Sequence, residues 1–264
     1  MSLLLACCAL AITGATPLAA MPPEEVTDWL RDLRAYSTDF SARLESIAHA
    51  ALGTPYADGP LGEGPDGTHD RDPLMDLGRV DCVTFVEQSI ALARAASYQE
   101  AFDALQRIRY KDGIIDYERR NHFFIADWIA NNPFCIDLSQ SLGVETLPLT
   151  RTISRRGFFD RTNAAELGRN IPDQVLTIHY VPLAQAAAAE AKLPSPGLIV
   201  FVGKTDWLFA LHCGLYFRDT AGKGLLFHAS SKQGSVVSQP LLAYLDENKT
   251  RYLGFTAYRI NEPR

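Results

Sequence analysis

Four apolar runs, "GLIVFV", "LFALHCGLYF", "GLLFHAS" and "LGFTAYRI", crowd the C-terminal end of this chain, each bounded by Gly, Lys, Asp or Thr turns. They are short enough for strands, and runs separated only by turns pair as antiparallel sheet. The N-terminal half has a different period. "PEEVTDWLRDLRAYSTDFSARLESIAHAAL" carries Val26, Leu30, Leu33, Leu44 and Ile47 at helical spacing, and "YQEAFDALQRI" sets Phe102, Leu105 and Ile108 three apart. Helices first and sheet last predict an α+β domain rather than a wound βαβ sheet. The stretch "GTPYADGPLGEGPDGTHDRDP", dense in Gly, Pro and Asp, reads as a loop too polar to pack. Residues 111–195 are mixed, with a strand expected at "VLTIHYV" and a helix at "AQAAAAEAK". No repeat or linker divides the chain, so residues 21–264 are expected to form one domain.

Residues 1–20, "MSLLLACCALAITGATPLAA", hold an apolar core that ends in small residues near Ala19 and Ala20. That core is too short to span a bilayer comfortably and reads as a secretory signal. No Lys or Arg precedes it, and Leu18 is a poor residue three before a cut after Ala20. "LLAC" at Leu4 to Cys7 also resembles a lipoprotein acylation box, although few residues precede it. The expectation is an exported protein, lipid-anchored if that box is used. A net charge of −6 lacks the basic stripe that nucleic-acid binding needs. Removing the leader takes Cys7 and Cys8 with it and leaves Cys82, Cys135 and Cys213. An odd number argues against a disulfide framework. A free thiol kept in an oxidising compartment asks for a use.

Cys82 heads "RVDCVTFVEQSIALARA". Val83, Val86, Ile90 and Ala93 make one apolar stripe and Phe85, Ser89, Leu92 and Ala96 a second, leaving Thr84, Glu87 and Gln88 as a small polar sector, with Glu87 read as facing solvent. A helix apolar on most sides is packed all round. Asp81 is a good N-cap, and Cys82 then falls in the first turn, where unpaired N–H groups and the helix dipole favour a thiolate. A lone cysteine is more often a small buried hydrophobe. The nucleophile reading therefore needs a base.

Of the six histidines, His49, His69, His122 and His179 have no evident partner and read as structural or surface groups. His212 and His228 differ. Alternation puts Leu211, Cys213, Leu215 and Phe217 on one face of a strand and His212, Gly214 and Tyr216 on the other. A hairpin closed about Thr220 would face His212 directly with His228, within reach of a ring-to-ring hydrogen bond. His212 would take the Cys82 proton and His228 would orient His212. The same alternation turns Cys213 away from Cys82, so it reads as core and as a poor disulfide partner.

"GTPYADG" at 53–59, "DCVTFVE" at 81–87, "LHCGLYF" at 211–217 and "LFHASS" at 226–231, in this order, resemble the NlpC class of bacterial cell-wall cysteine peptidases. Within it, "DCVTFVEQSIALAR", "IRYKDG" and "NHFFIADWI" resemble the N-acetylmuramoyl-L-alanine amidase-like branch. The resemblance implies a papain-like fold, with a central helix carrying the cysteine on an antiparallel sheet. It implies a periplasmic peptidoglycan or muropeptide hydrolase with Cys82, His212 and His228 catalytic, and it carries the family's site tyrosine to Tyr56. Asp81 and Ser230 are expected on the substrate side, Asp81 meeting the peptide and Ser230 lying in the matched His-Ala-Ser strand. Two departures stand out: Leu211 where the class has Ser, and Cys213 where it has Val.

The implied reaction needs no metal or organic cofactor and no obligatory protein partner. The implied cut separates the lactyl group of muramic acid from the first alanine of the stem peptide. An alternative keeps the Cys-His-His set and moves the cut to the γ-D-glutamyl–diaminopimelate bond. A zinc site of Cys82, His212 and His228 is a second alternative, weakened by the lack of a CxxC or HxxxH pair. An inactive wall-binding module is a third.

Overall fold

The computed structural model describes residues 16–263. Most of the expected leader lies outside the described residues. Its last part, Leu18–Ala20, makes one 3-10 turn, and Leu18 is 4% exposed in a groove among Ile47, Phe85 and Leu92. A chain started at Met21 loses that contact, which is expected to cost about 2 kcal/mol, the value of burying one leucine. Denaturant midpoints of the two versions check this, and equal midpoints would show that Leu18 contributes nothing.

The helical half is four helices: α1 (Pro23–Tyr36), α2 (Phe40–Ala50), α3 (Cys82–Arg94) and α4 (Tyr98–Arg109). The continuous helical pattern over residues 23–50 breaks at Ser37, and Asp39 restarts it by accepting from the Ser41 N–H at 3.1 Å. The loop before α3 is packed, contrary to expectation. Leu61 is fully buried there, because Arg109 at the end of α4 and Tyr110 just after it donate to the carbonyls of Leu61 and Gly62. Arg120 holds the same loop through Glu63 and Asp70. Polar composition did not prevent packing once side chains at the end of α4 satisfied the loop's backbone.

Eight strands form one antiparallel sheet: β1 (Cys135–Asp137), β2 (Leu147–Ile153), β3 (Gln174–Pro182), β4 (Gly197–Gly203), β5 (Ala210–Arg218), β6 (Gly224–Ser230), β7 (Ser235–Pro240) and β8 (Tyr252–Ile260). Their order is β2-β3-β8-β4-β5-β6-β7, and β1 also pairs with β8. Short helices fill the connections: α5 (Arg155–Arg161), α6 (Ala165–Gly168), α7 (Ala186–Glu190) and α8 (Leu241–Glu247). The strand and helix expected within residues 111–195 are β3 and α7. The sequence did not signal the π-helical turn Phe124–Ile129 or α5.

The sheet is covered on both faces. Leu198, Val200, Leu215 and Phe217 pack toward α3, while Ile199, Phe201, Tyr216 and Leu226 pack toward α7 and α8. A strand covered on both sides reads as one apolar run, and β4 is buried along its whole length.

The β5–β6 hairpin differs from expectation in register. Leu215 pairs with Phe227 and Arg218 with Gly224, so Gly214, not His212, is the residue across from His228. The Asp219 carboxylate accepts from the N–H groups of Ala221 and Lys223, and Gly222 adopts a left-handed φ of 79°. These contacts close a three-residue loop centred one residue later than Thr220. Such a move shifts the register by two and preserves the faces, so both histidines still lie on one side. A Cβ at Gly214 would stand 2.7 Å from the Phe227 carbonyl oxygen and 3.0 Å from the His228 Cβ. Glycine is therefore needed here to let His228 lean toward His212.

Candidate active site

Asp81 and Thr84 make a reciprocal cap at the start of α3. The Thr84 N–H donates to the Asp81 carboxylate at 2.7 Å, and the Thr84 hydroxyl accepts from the Asp81 N–H at 2.8 Å. The Phe85 N–H goes to the Asp81 carbonyl. Among the described residues, the N–H groups of Cys82 and Val83 are left without a partner, as expected of a helix's first turn. Cys82 itself lies against β5 where β5 and β6 separate, beyond their last pair, Leu215 and Phe227.

There the structure brings three expected residues together. His212 Nε2 lies 2.8 Å from His228 Nδ1, the rings nearly perpendicular at 88°. Because they sit diagonally across the hairpin, the contact depends on the length of two imidazoles. With Nε2 engaged, His212 keeps Nδ1 for the Cys82 thiol beside it. A hydrogen bond from the Cys213 thiol and then His212 hold Cys82 well below the usual cysteine value, against burial, which pushes it up. His228 is pushed down to about 3, by burial first and then by His212, so it stays neutral. A neutral His228 that accepts at Nδ1 carries its proton on Nε2, and the Gln239 amide, whose nitrogen stands 3.5 Å away, accepts that proton only when turned to present its oxygen. Gln239 was missed. Extending the alternation from His228 across to Val237 would have put it on the same face.

Tyr56 and Asp81 also adjoin Cys82. Residues 53–57 run between β7 and the chain before α3, with the Tyr56 N–H donating to the Gly234 carbonyl at 2.9 Å and the Ala57 N–H to the Val80 carbonyl at 3.0 Å. Burial, then Asp58, Cys82 and Asp81, push the Tyr56 phenol up to about 12, so it remains a donor. Burial and the neighbouring thiol push the Asp81 carboxyl up, while its bonds to Thr84 pull it down. Ser230 is set apart. Its hydroxyl accepts from the Gln233 N–H at 3.2 Å and closes the β6–β7 turn, and among the described residues it has no hydrogen bond to Cys82, His212 or His228.

Three expectations change. Cys213 does not avoid Cys82: its Sγ lies 3.2 Å from the Cys82 carbonyl oxygen. Alternation separates Cys213 from His212 as expected, but α3 packs on the Cys213 face, and Cys82 reaches His212 at the strand's end. Glu87 does not face solvent. It is 1% exposed and accepts from Arg109 and from the Trp128 indole, both at 2.9 Å. His122 has a partner, the Tyr117 carbonyl at 2.6 Å, and lines the cleft over Cys82.

That cleft, of about 150 Å³, is walled by Cys82, Val83, Phe123, Leu208, Leu211 and His212. It meets a second cleft of about 720 Å³ at His122, Phe123 and Ala126, whose lining mixes basic and acidic side chains, Arg155 being paired with Asp127. Arg151 secures the wall: it is 8% exposed and donates to the carbonyls of Gly203 and Leu208. Among the described residues, no group of three or more His, Cys, Asp or Glu side chains is arranged to hold a metal ion, and no helix is long and apolar enough to cross a membrane.

The two buried histidines set a pH dependence. Burial pushes His122 and His228 each down to about 3. Above about pH 6.5 neither folded nor unfolded chain protonates them. Below it the unfolded chain takes up protons that the folded chain refuses, so stability falls with pH, by up to about 1.4 kcal/mol per unit for each histidine. Denaturant midpoints between pH 7 and pH 4 are expected to drop, and less steeply in His122→Phe. An unchanged slope in that variant would exclude His122 as a cause.

The sequence profile described as AmiA-like, N-acetylmuramoyl-L-alanine amidase-like, matches residues 46–254. No curated protein sequence matches the chain. A crystal structure from Legionella pneumophila superimposes with a TM-score of 0.81 at 22% identity, covering 91% of this chain and 96% of that one; at this identity the likeness speaks for the fold. An N-acetylmuramoyl-L-alanine amidase from Bacteroides uniformis superimposes with a TM-score of 0.67 at 27% identity, covering 84% of this chain and 99% of that one. A putative xylanase from Bacteroides fragilis gives 0.63 at 28%, covering 81% and 99%. The α+β fold with its antiparallel sheet is shared, the profile spans both the helical half and the hairpin, and the chain belongs to the N-acetylmuramoyl-L-alanine amidase-like family of peptidoglycan hydrolases.

Proposed function

We propose that this protein is an exported cysteine hydrolase of the papain-like NlpC type that cuts the amide between N-acetylmuramic acid and the first L-alanine of a peptidoglycan stem peptide. The observation that carries this reading is the Cys82 thiol at a helix start, beside a histidine whose far nitrogen lies 2.8 Å from a second, neutral one. A thiolate in that setting is a nucleophile with its base in place.

His212 Nδ1 takes the Cys82 proton, and the Cys82 sulfur adds to the amide carbonyl. The unpartnered N–H groups of Cys82 and Val83 receive the oxyanion, with the Tyr56 phenol as a further donor. His212 returns the proton to the leaving alanine amine, releasing the peptide and leaving the lactyl group as a thioester on Cys82. Water, deprotonated by His212, hydrolyses that ester and frees the thiol. Asp81 holds the helix start and faces the peptide side. The joined clefts give room for a substrate with groups on both sides of the amide.

The test is digestion of a disaccharide-linked stem peptide, read by mass spectrometry. The expected products are free disaccharide and a peptide beginning with L-alanine, while the same peptide without sugar is left intact, because a site built to bind both parts loses its polar partners when one is missing. Cleavage of the sugar-free peptide after its D-glutamate would replace this reading with the endopeptidase one.

A further inference from the structure

Cys213 occupies a position that the thiol mechanism leaves without a task. It is 1% exposed in β5, within the apolar cluster between the sheet and α3. A thiol there has one proton to donate and few acceptors. The acceptor in contact is Cys82 itself: its carbonyl oxygen lies 3.2 Å from the Cys213 Sγ, and its sulfur belongs to the same residue, so a turn of the Cys213 side chain is what separates the two acceptors. Beyond Leu215, β5 no longer pairs with β6, which leaves Cys213 against the start of α3.

We propose that Cys213 is a positioning residue whose buried S–H donates to the Cys82 sulfur when that sulfur is ionised and to the Cys82 carbonyl when it is not. The proposal rests on Cys82 being the nucleophile. A donor shared between these two acceptors needs only a rotation of one side chain. The ionised sulfur gains by it, because a hydrogen bond to a charged group is stronger than one to a neutral carbonyl. Burial, with the Cys82 sulfur beside it, pushes Cys213 well above the usual thiol value, so it keeps its proton under conditions where Cys82 loses one. The two thiols thus divide one chemistry: one is the nucleophile and the other its fixed donor.

The titratable groups around Cys82 are Tyr56, the capping Asp81, His212 and Cys213 on β5, and Tyr244 and Tyr252 behind His212. Only Cys213 changes in the test. Iodoacetamide alkylation of Cys82 is followed by mass spectrometry from pH 4 to pH 9 in the wild type, Cys213→Val, Cys213→Ala and Cys213→Ser, with a thermal melt of each. Wild-type Cys82 should label below pH 7. Cys213→Val should raise the midpoint by about one unit, so that the rate one unit or more below the wild-type midpoint falls about tenfold while the rate at pH 9 is unchanged. Cys213→Ser, which keeps a donor, should restore most of the shift. Cys213→Ala reads the same loss without a branched side chain if the valine strains the packing.

A folded Cys213→Val or Cys213→Ala with the wild-type midpoint overturns the proposal and leaves the nucleophile reading standing. A Cys213→Ser midpoint equal to that of Cys213→Val also overturns it, since packing alone would then explain the shift. Failure of wild-type Cys82 to label below pH 7 overturns both readings.

Discussion

Cys82→Ala is expected to abolish muropeptide cleavage, lowering kcat by about 10⁴-fold or more, with the melting temperature little changed. The residue is partly exposed, and its loss removes the nucleophile without opening a large cavity. His212→Ala should fall nearly as far, because the sulfur then lacks both its base and the acid that protonates the leaving amine. His228→Ala should lower kcat substantially with little change in KM: His228 touches His212 and holds its ring, whereas the substrate meets Cys82. Steady-state kinetics on the sugar-linked peptide separate the three. Wild-type turnover in His228→Ala would remove the orienting role, and substantial turnover in Cys82→Ala would end the thiol mechanism.

The second large effect is on stability and lies beneath the site. Glu87 and Arg109 are 1% and 6% exposed and joined at 2.9 Å, and Glu87 also accepts from the Trp128 indole. Burial pushes the Glu87 carboxyl up and the Arg109 guanidinium pulls it back. Glu87→Ala leaves a buried guanidinium unpaired and an indole N–H without its acceptor, expected to cost about 3–5 kcal/mol. Glu87→Gln still offers an oxygen to one of the two and should cost less. Urea midpoints read the difference, and a loss below about 1 kcal/mol in Glu87→Ala would mean that water reaches Arg109 in the variant.

Parts of this site could be read from the sequence because they depend on parity and spacing. The pairing of His212 with His228 survives a one-residue error in the turn, since the register moves by two and the faces stay the same. The position of Cys82 follows from Asp81 as cap, a local signal. Other parts depend on what packs against what. Alternation divides β5 into two faces without saying which one α3 covers, so the contact between Cys213 and Cys82 was hidden. The burial of Glu87 requires Arg109 and Trp128, which approach from α4 and the π-helical turn. The loop at Leu61 was misread for the same reason, its backbone partners lying at the end of α4 and just after it.

The position of β8 in the sheet bears on how the protein can be made. The last strand of the chain lies in the interior of the sheet and pairs with β1, β3 and β4. On a ribosome, the sheet therefore stays in three unjoined parts, β1, β2–β3 and β4–β7, until β8 has emerged, and no fragment ending before it can assemble the sheet. A message cut short before β8 should yield proteolysed chain rather than a weakened enzyme. Completion of the sheet thus waits on β8, whatever part of the helical half has formed before it.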